Sequence, residues 1–401
     1  MSYFKKENLT EIISFGKMPM ANNFVNSKDE KIFTYELKLG FNKKFKLAQI
    51  YEFPKPSNMF NENYAFITST SKYMANHFKK LSIKIKKKFK KISILEIGCN
   101  DGVFLENFKN STHLGVEPSK NVFKLSKKRK LNVDNSFFNY EYTNRIKKKY
   151  DKFNVVFGSN VICHIPDQQE LYECINQVLS NDGFFIFEEP YLLDMIKNTS
   201  YDQLYDEHIY IFSLTSIELI AKKFGFFLVD AEKISTHGGS MRYFLTKKKT
   251  AKTKRLLNLI KKEKKFGIDK INSLIKFANN CEKNKKIFYN KIVNLKNNNH
   301  RIYGFGATSK STTILNYCNI NGKHIDTIFD NSKTKIKKFT PLTNIPITDS
   351  KYFNKKKITY CVLFAWNHYK EIFSKIKKSN NIRWISHIDK KFFKKYNKYF
   401  L

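Results

Sequence analysis

In the stretch EEPYLLDMIKNTSYDQLYDEHIYIFS (188–213), Tyr205, Glu207 and His208 fall within four residues, and on a helical turn Tyr205 and His208 would share a face. Histidine titrates near neutral pH and can take a carbon-bound proton beside a carbonyl. Glu can orient its ring, and Tyr can donate to a developing enolate oxygen. Carbon alkylation requires these parts, although on spacing alone such a cluster is more often hydrogen-bonded scaffolding. A second candidate, His164, lies in Ser159-Asn160-Val161-Ile162-Cys163-His164-Ile165-Pro166-Asp167, directly after a strand-like run. In open α/β sheets the ligand crevice lies outside the carboxyl ends of the strands, so Asn160 and His164 would face it. A lone His is otherwise usually structural.

Two glycine turns accompany these groups. The run ILEIG leads into Glu96-Ile97-Gly98-Cys99-Asn100-Asp101-Gly102, and the next strand-like run, HLGVEP, ends in Glu117. Gly98 and Gly102 let the backbone pass close to a ligand, and an acid at the end of the second strand is placed to take two ribose hydroxyls. The loop is not GxGxxG, because Asn100 stands at the central glycine where a dinucleotide pyrophosphate needs the closest approach. This favours S-adenosylmethionine over NAD; a glycine turn with no ligand is the plainer alternative. The second turn, in RIYGFGATSKSTTILNYC, precedes a helical pattern and would expose backbone N–H groups to an anion. Lys310 does not follow GxxxxG, so this is not a phosphate loop of the Walker kind, and ATP hydrolysis is disfavoured.

The elements that must hold these residues read as α/β. The chain has 401 residues, a prior of about two to four domains, and with 41% hydrophobic and 15% aromatic residues it can bury a large core. From ISILEIGC onward apolar runs (HLGVEP, LNVDNSFF, FNVVFGS, GFFIFEEP, FFLVDAE, MRYFLT) alternate with helical patterns such as DQQELYECINQVLS, which argues a doubly wound parallel sheet. Residues 246–300 read as one or two amphipathic connecting helices. The second glycine turn with HIDTIFD and TYCVLFAW suggests another Rossmann-like unit. The opening residues, with IFTYELKLGF and FKLAQIYEF, read as a small strand-rich module. The expected division is 1–75, 76–248 and 249–401.

No apolar run reaches the length of a membrane helix and MSYFKKENLTEI lacks a signal-like stretch, so a cytoplasmic protein is expected. The formal charge of +39 invites a nucleic-acid reading, but only six of the 74 basic residues are Arg. A Lys excess alongside abundant Asn, Ile and Phe fits A- and T-rich codons and a solvated surface, whereas phosphate and base readers favour the Arg fork. The six Cys show no CxxC and no paired spacing, so neither a disulfide framework nor a Cys-rich zinc site is written here.

Taken in order, GKMPMANNF, NYAFITSTSKYM, LEIGCNDG, SNVICHIPD, FEEPYLLDMI, YDQLYDEH, HGGSMRYFL, YGFGATSKSTTILNYC and LFAWNH resemble the three-domain NDP-hexose 3-C-methyltransferases of deoxysugar pathways over nearly the whole chain. The resemblance implies a central class I methyltransferase domain that binds S-adenosylmethionine, with Glu96, Gly98, Asn100, Gly102, Glu117 and Asn160 around the cofactor. It implies a nucleotide sugar in a cleft against the C-terminal domain, with His164, Tyr205, Glu207 and His208 at the ring. Tyr64 and the Thr68-Ser69-Thr70-Ser71 loop, including Ser69 and Ser71, would help close the site, and Gly306, Thr308, Ser309 and Lys310 would meet the diphosphate. His237-Gly238-Gly239-Ser240 with Arg242 also matches, though a tight turn into a strand explains its glycines equally well. His208 would be the base, with Glu207 setting its tautomer. The family usually opens with a zinc module carrying two Cys pairs; here Asn42 and Phe45 stand at the second pair and nothing upstream of Gly16 supplies the first, so no zinc is expected and packing by Phe41 and Phe45 would substitute. O- or N-methylation on the same scaffold, and a basic RNA-binding protein or RNA methyltransferase, are the rival readings.

Overall fold

The computed structural model describes residues 4–354, 358–376 and 381–401. The chain opens with strands β1 (Leu9–Pro19), β2 (Thr34–Asn42) and β3 (Leu47–Ile50). It continues through β4 (Ser93–Ile97), β5 (Thr112–Val116), β6 (Val133–Asp134), β7 (Phe153–Ser159), β8 (Leu179–Pro190), β9 (Tyr210–Ile211), β10 (Phe227–Ile234) and β11 (Ser240–Thr246). After two long helices, Lys254–Phe266 and Ile271–Asn297, come β12 (Ile302–Phe305), β13 (Ile328–Asp330), β14 (Ile347–Asp349), β15 (Tyr360–Leu363) and β16 (Arg383–Ile385).

The central sheet has the order β10-β11-β8-β7-β4-β5-β6. Strands β8, β7, β4, β5 and β6 are mutually parallel, as their unbroken apolar runs predict for strands covered on both faces. The sheet departs from the all-parallel expectation at one edge, where β11 runs antiparallel to both β8 and β10. The helices follow sequence logic: in Gln168–Val178 the Asp167 side chain caps the amide of Glu170, and Leu171, Tyr172, Cys174, Ile175 and Val178 form the buried face. The C-terminal sheet, β14-β13-β12-β15-β16, is entirely parallel.

The N-terminal sheet has the order β1-β2-β3-β9, so its last strand comes from residues 210 and 211, far along the chain. At the β2–β3 hairpin the Asn42 side chain accepts from the amides of Lys44 and Phe45, and Phe45 stacks on Phe4 with ring centroids 5.0 Å apart. Phe41 and Phe45 are both buried. A polar turn brace and an aromatic plug thus occupy the place where the resemblance puts a cysteine pair.

The segment 204–208 ties the N-terminal and C-terminal parts of the chain together. Strand β9 follows it into the N-terminal sheet, the Ala21 amide donates to Asp206 (2.8 Å), and the Thr313 hydroxyl of the Ser309–Tyr317 helix donates to the Leu204 carbonyl (2.9 Å).

Candidate active site

One cavity of about 590 Å³ runs between the central sheet, the C-terminal sheet and the linker after β3, a size that suits a small-molecule site. At one end it is lined by Glu96, Gly98, Asn100, Glu117 and Asn160, at the other by Tyr205, Glu207, His208, His237, Thr308, Ser309 and Lys310, with His164 between.

The end that carries Tyr205 and His208 is built on a turn, not on the helix the spacing suggested: the His208 amide donates to the Tyr205 carbonyl (3.0 Å), which brings both side chains to one side. His208 Nδ1 lies 2.7 Å from the Gln203 carbonyl oxygen, and its Nε2 lies 2.7 Å from the Tyr205 hydroxyl. A carbonyl can only accept, so Nδ1 carries the proton and Nε2 presents its lone pair toward Tyr205. Burial, reinforced by the His164 ring, holds the imidazole well below its ordinary pKa and so neutral. Burial, with Glu207 nearby, likewise keeps Tyr205 protonated. Glu207 therefore does not set the His208 tautomer; the Gln203 backbone does. The Glu207 carboxylate instead accepts from Asn22 Nδ2 (2.6 Å) and the Tyr64 hydroxyl (3.1 Å), fastening the N-terminal segment to the turn.

His164 stacks on His208 (5.3 Å between centroids) and on Phe60 (5.6 Å). Burial pushes it down to about 3, and its Nε2 has no partner among the described residues. Its turn is held by Glu189, whose Oε1 accepts from the amides of Val161, Ile162 and Cys163. Ligand-capable atoms of Cys163, His164 and His208 lie within 4.8 Å of one another. Burial and Glu189 raise the Cys163 thiol well above its ordinary range, and both His208 ring nitrogens are already engaged.

At the opposite end Glu117 accepts from the amides of Asn100 (2.9 Å) and Ser119 (2.8 Å). Glu96 Oε2 and Asn160 Oδ1 are buried without a partner among the described residues. Burial, with Asp101 adjacent, raises Glu96 well above the usual carboxylate range. Gly98 has φ +63°, and a Cβ there would sit 2.6 Å from Val161 Cγ2. A buried acid and amide lacking donors suit a ligand that brings an ammonium and hydroxyls, so the residues present fit S-adenosylmethionine.

Comparison with known proteins agrees with this. Residues 66–231 match a methyltransferase domain, and residues 235–388 match the C-methyltransferase C-terminal domain. The chain belongs to the C-methyltransferase family. It is similar to the C-methyltransferase NovU of Streptomyces niveus, at 25% identity over 373 residues, covering 90% of this chain and 88% of that protein. Among solved structures it is similar to S-adenosylmethionine-dependent methyltransferases from Thermotoga maritima (19% identity, TM-score 0.35, 44% of this chain and 92% of that one) and Clostridium acetobutylicum (14%, 0.32, 42% and 91%). The C-methyltransferase is thus an S-adenosylmethionine-dependent enzyme with a class I central sheet, and no helix among its described residues is long and apolar enough to cross a membrane.

Not every residue singled out in the methyltransferase sequence reaches the cavity wall. Gly102 is a packing glycine, since a Cβ there would lie 2.3 Å from Leu131 Cδ1. Gly306 abuts Ala365 in the same way, at 2.5 Å. Ser71 caps the Lys72–Lys88 helix, and Ser69 is exposed. Arg242 is buried in ion pairs with Glu188 and Glu232, both at 2.6 Å, which bind the edge of the central sheet together. Asn100 lines the cavity, but its side chain also accepts from Thr68 and donates to the Phe66 carbonyl, clasping the linker over the glycine turn. The cavity wall also includes residues that no motif assigns to the site, among them Asn22, Phe60 and Lys335. Asn22 lies inside the GKMPMANNF motif, so a signal existed; Lys335 lies in NSKTKIKK, where nothing distinguishes it from its lysine neighbours.

Proposed function

We propose that this C-methyltransferase methylates a carbon, C3, of a nucleotide-linked 4-keto-6-deoxyhexose through base-catalysed enolate formation. The observation that carries the reading is the buried Tyr205–His208 pair, with its tautomer fixed by the Gln203 carbonyl, inside the same cavity as Glu96 and Glu117. The 4-keto group acidifies the neighbouring C–H. His208 Nε2, the nitrogen left free of a proton, takes that proton through or past the Tyr205 hydroxyl, and His164 covers the ring from the other face. Glu207, tied to Asn22 and Tyr64, closes the N-terminal segment against the acceptor and excludes water. Thr308, Ser309 and the amides that open the Ser309–Tyr317 helix face the cavity where a diphosphate would end. When bound, S-adenosylmethionine supplies the electrophilic methyl group. The expected working units are 1–75, 76–248 and 249–401, with β9 exchanged into the first.

The test is incubation with S-adenosylmethionine and a panel of dTDP-4-keto-6-deoxyhexoses, followed by NMR assignment of the methyl position. A new carbon-bound methyl beside the ketone is expected; a methyl on oxygen or nitrogen would replace this reading with heteroatom transfer. Dialysis against a chelator is expected to leave turnover unchanged, because the His208 nitrogens serve Gln203 and Tyr205. Activity lost on dialysis and restored by zinc would instead assign a metal to Cys163, His164 and His208.

A further inference from the structure

The HGG turn and the second glycine turn, which the sequence treats as separate motifs, converge on one side chain. Lys310 is only 6% exposed and lines the cavity. Its Nζ donates to the His237 carbonyl (3.1 Å) and lies 4.7 Å from the centre of the Trp366 ring. The same His237 carbonyl accepts from Gln203 Nε2 (2.8 Å), and the Gln203 carbonyl is the acceptor for His208 Nδ1. The Lys310 ammonium and the His208 imidazole are therefore joined by one chain of bonds that runs through His237 and Gln203. The turn is shaped for this: His237 itself has φ 53°, and a Cβ on Gly238 would lie 2.1 Å from Trp366. Trp366 is fixed in turn by Asp202, the residue before Gln203, through an Nε1–Oδ2 bond of 2.6 Å.

The other cavity lysine points elsewhere. Lys335 Nζ donates to the Ala307 carbonyl (2.8 Å), directly before Thr308 caps the Ser309–Tyr317 helix. It stands beside the amides that open that helix, 4.9 Å from the Phe24 ring centre. Lys310 is thus bonded toward the His208 side of the turn, whereas Lys335, within electrostatic reach of Glu207, is bonded toward the amides that open the helix.

We propose that Lys310 is a catalytic residue at the acceptor ring, its ammonium receiving the negative charge that develops on the carbonyl oxygen, while Lys335 and the helix-opening amides take the diphosphate. This rests on the ketone-sugar reading above and moves Lys310 away from the diphosphate role implied by the resemblance. As His208 Nε2 takes the proton, the C–H bond pair becomes the new C=C bond, and the carbonyl π pair moves onto oxygen. An ammonium already desolvated at that position needs no reorganisation to meet the charge.

The experiment measures enolisation apart from methyl transfer: wash-in of deuterium beside the ketone of dTDP-4-keto-6-deoxyglucose in D2O, with S-adenosylhomocysteine bound, together with calorimetric binding of dTDP. Lys310→Met is expected to slow exchange at saturating sugar by about 10²–10³-fold, leaving dTDP affinity within about threefold. Lys335→Met is expected to weaken dTDP about tenfold. Should Lys310→Met lose S-adenosylhomocysteine binding and so be misfolded, Lys310→Gln, which keeps a neutral donor to His237, should show the same exchange defect. The proposal is overturned if the Lys310 variants lose dTDP affinity and exchange at the wild-type rate. A wild-type protein that binds dTDP yet exchanges nothing would remove the ketone-sugar reading itself, a pattern distinct from either lysine result.

Discussion

Strands β4 and β12 each run into a turn whose glycine has positive φ, Gly98 at 63° and Gly306 at 89°. In each, an acid at the end of the neighbouring strand catches an amide of the turn. Glu117 accepts from Asn100 at 2.9 Å, and Asp330 accepts from Ala307 at 2.7 Å. The two backbones solve the same problem in the same way. What differs is the charge left facing the cavity: at β4 the acid Glu96, with an unpartnered oxygen, and at β12 the ammonium groups of Lys310 and Lys335. Burial brings Lys310 down to about 8 and also lowers Lys335. A glycine turn therefore grants a ligand close approach to the backbone, and the side chains around it decide whether that ligand is a cation or an anion.

The largest effect should come from the end that carries His208. His208→Asn is expected to lower methyl transfer by about 10³–10⁴-fold while S-adenosylhomocysteine binds as in the wild type, because the proton acceptor is lost from one end only. Near-normal turnover would reject His208 as the base and turn the assignment to His164. The opposite end is probed by Glu117→Gln, which keeps the shape and removes the charge. Cofactor affinity should fall by about 10–100-fold, the cost of weakening one charge-assisted site, with dTDP affinity unchanged. If both affinities fell together, the two turns would be a single coupled site and not two ends of opposite character.

The contrast was only partly legible in the sequence. Both glycine turns, the five parallel strands of the central sheet and the Tyr205, Glu207, His208 set could be read because each is a local signal: an apolar run, a glycine before a helix, three chemical groups within four residues. Strand β1 does not read as a strand, because the pairing of TEIISFGKMP with β2 shifts register twice and blurs the alternation that marks one. The sequence points to Glu207 for the His208 tautomer because a nearby carboxylate is the usual orienter, and no sequence pattern announces a backbone carbonyl such as that of Gln203. Lys335 was invisible for a compositional reason. In a chain with 74 basic residues, a lysine that folds inward looks like every lysine that does not, and only long-range packing against Ala307 and Phe24 separates it.

The smallest effect is one of stability, and it separates the two ends by a cost the cationic end bears. The Lys310 ammonium titrates at about 8 in the fold against 10.5 ordinarily, because burial disfavours its charged form. A base whose folded pKa is lowered destabilises the fold fully below that pKa. The cost then shrinks as pH rises from 8 toward 10.5, since the folded chain has shed a proton that the unfolded chain still holds. At pH 7 this amounts to about 3 kcal/mol, offset in part by the bond to His237 and the contact with Trp366, together worth about 1–2 kcal/mol. Lys310→Met should therefore be slower in enolisation yet more resistant to unfolding at pH 7, by on the order of 1 kcal/mol. In denaturant titrations its advantage over the wild type should narrow between pH 8 and 10.5. A variant less stable than the wild type at pH 7, or an advantage that grows with pH, would mean that Lys310 is held as a structural donor and not as a strained charge kept for the acceptor.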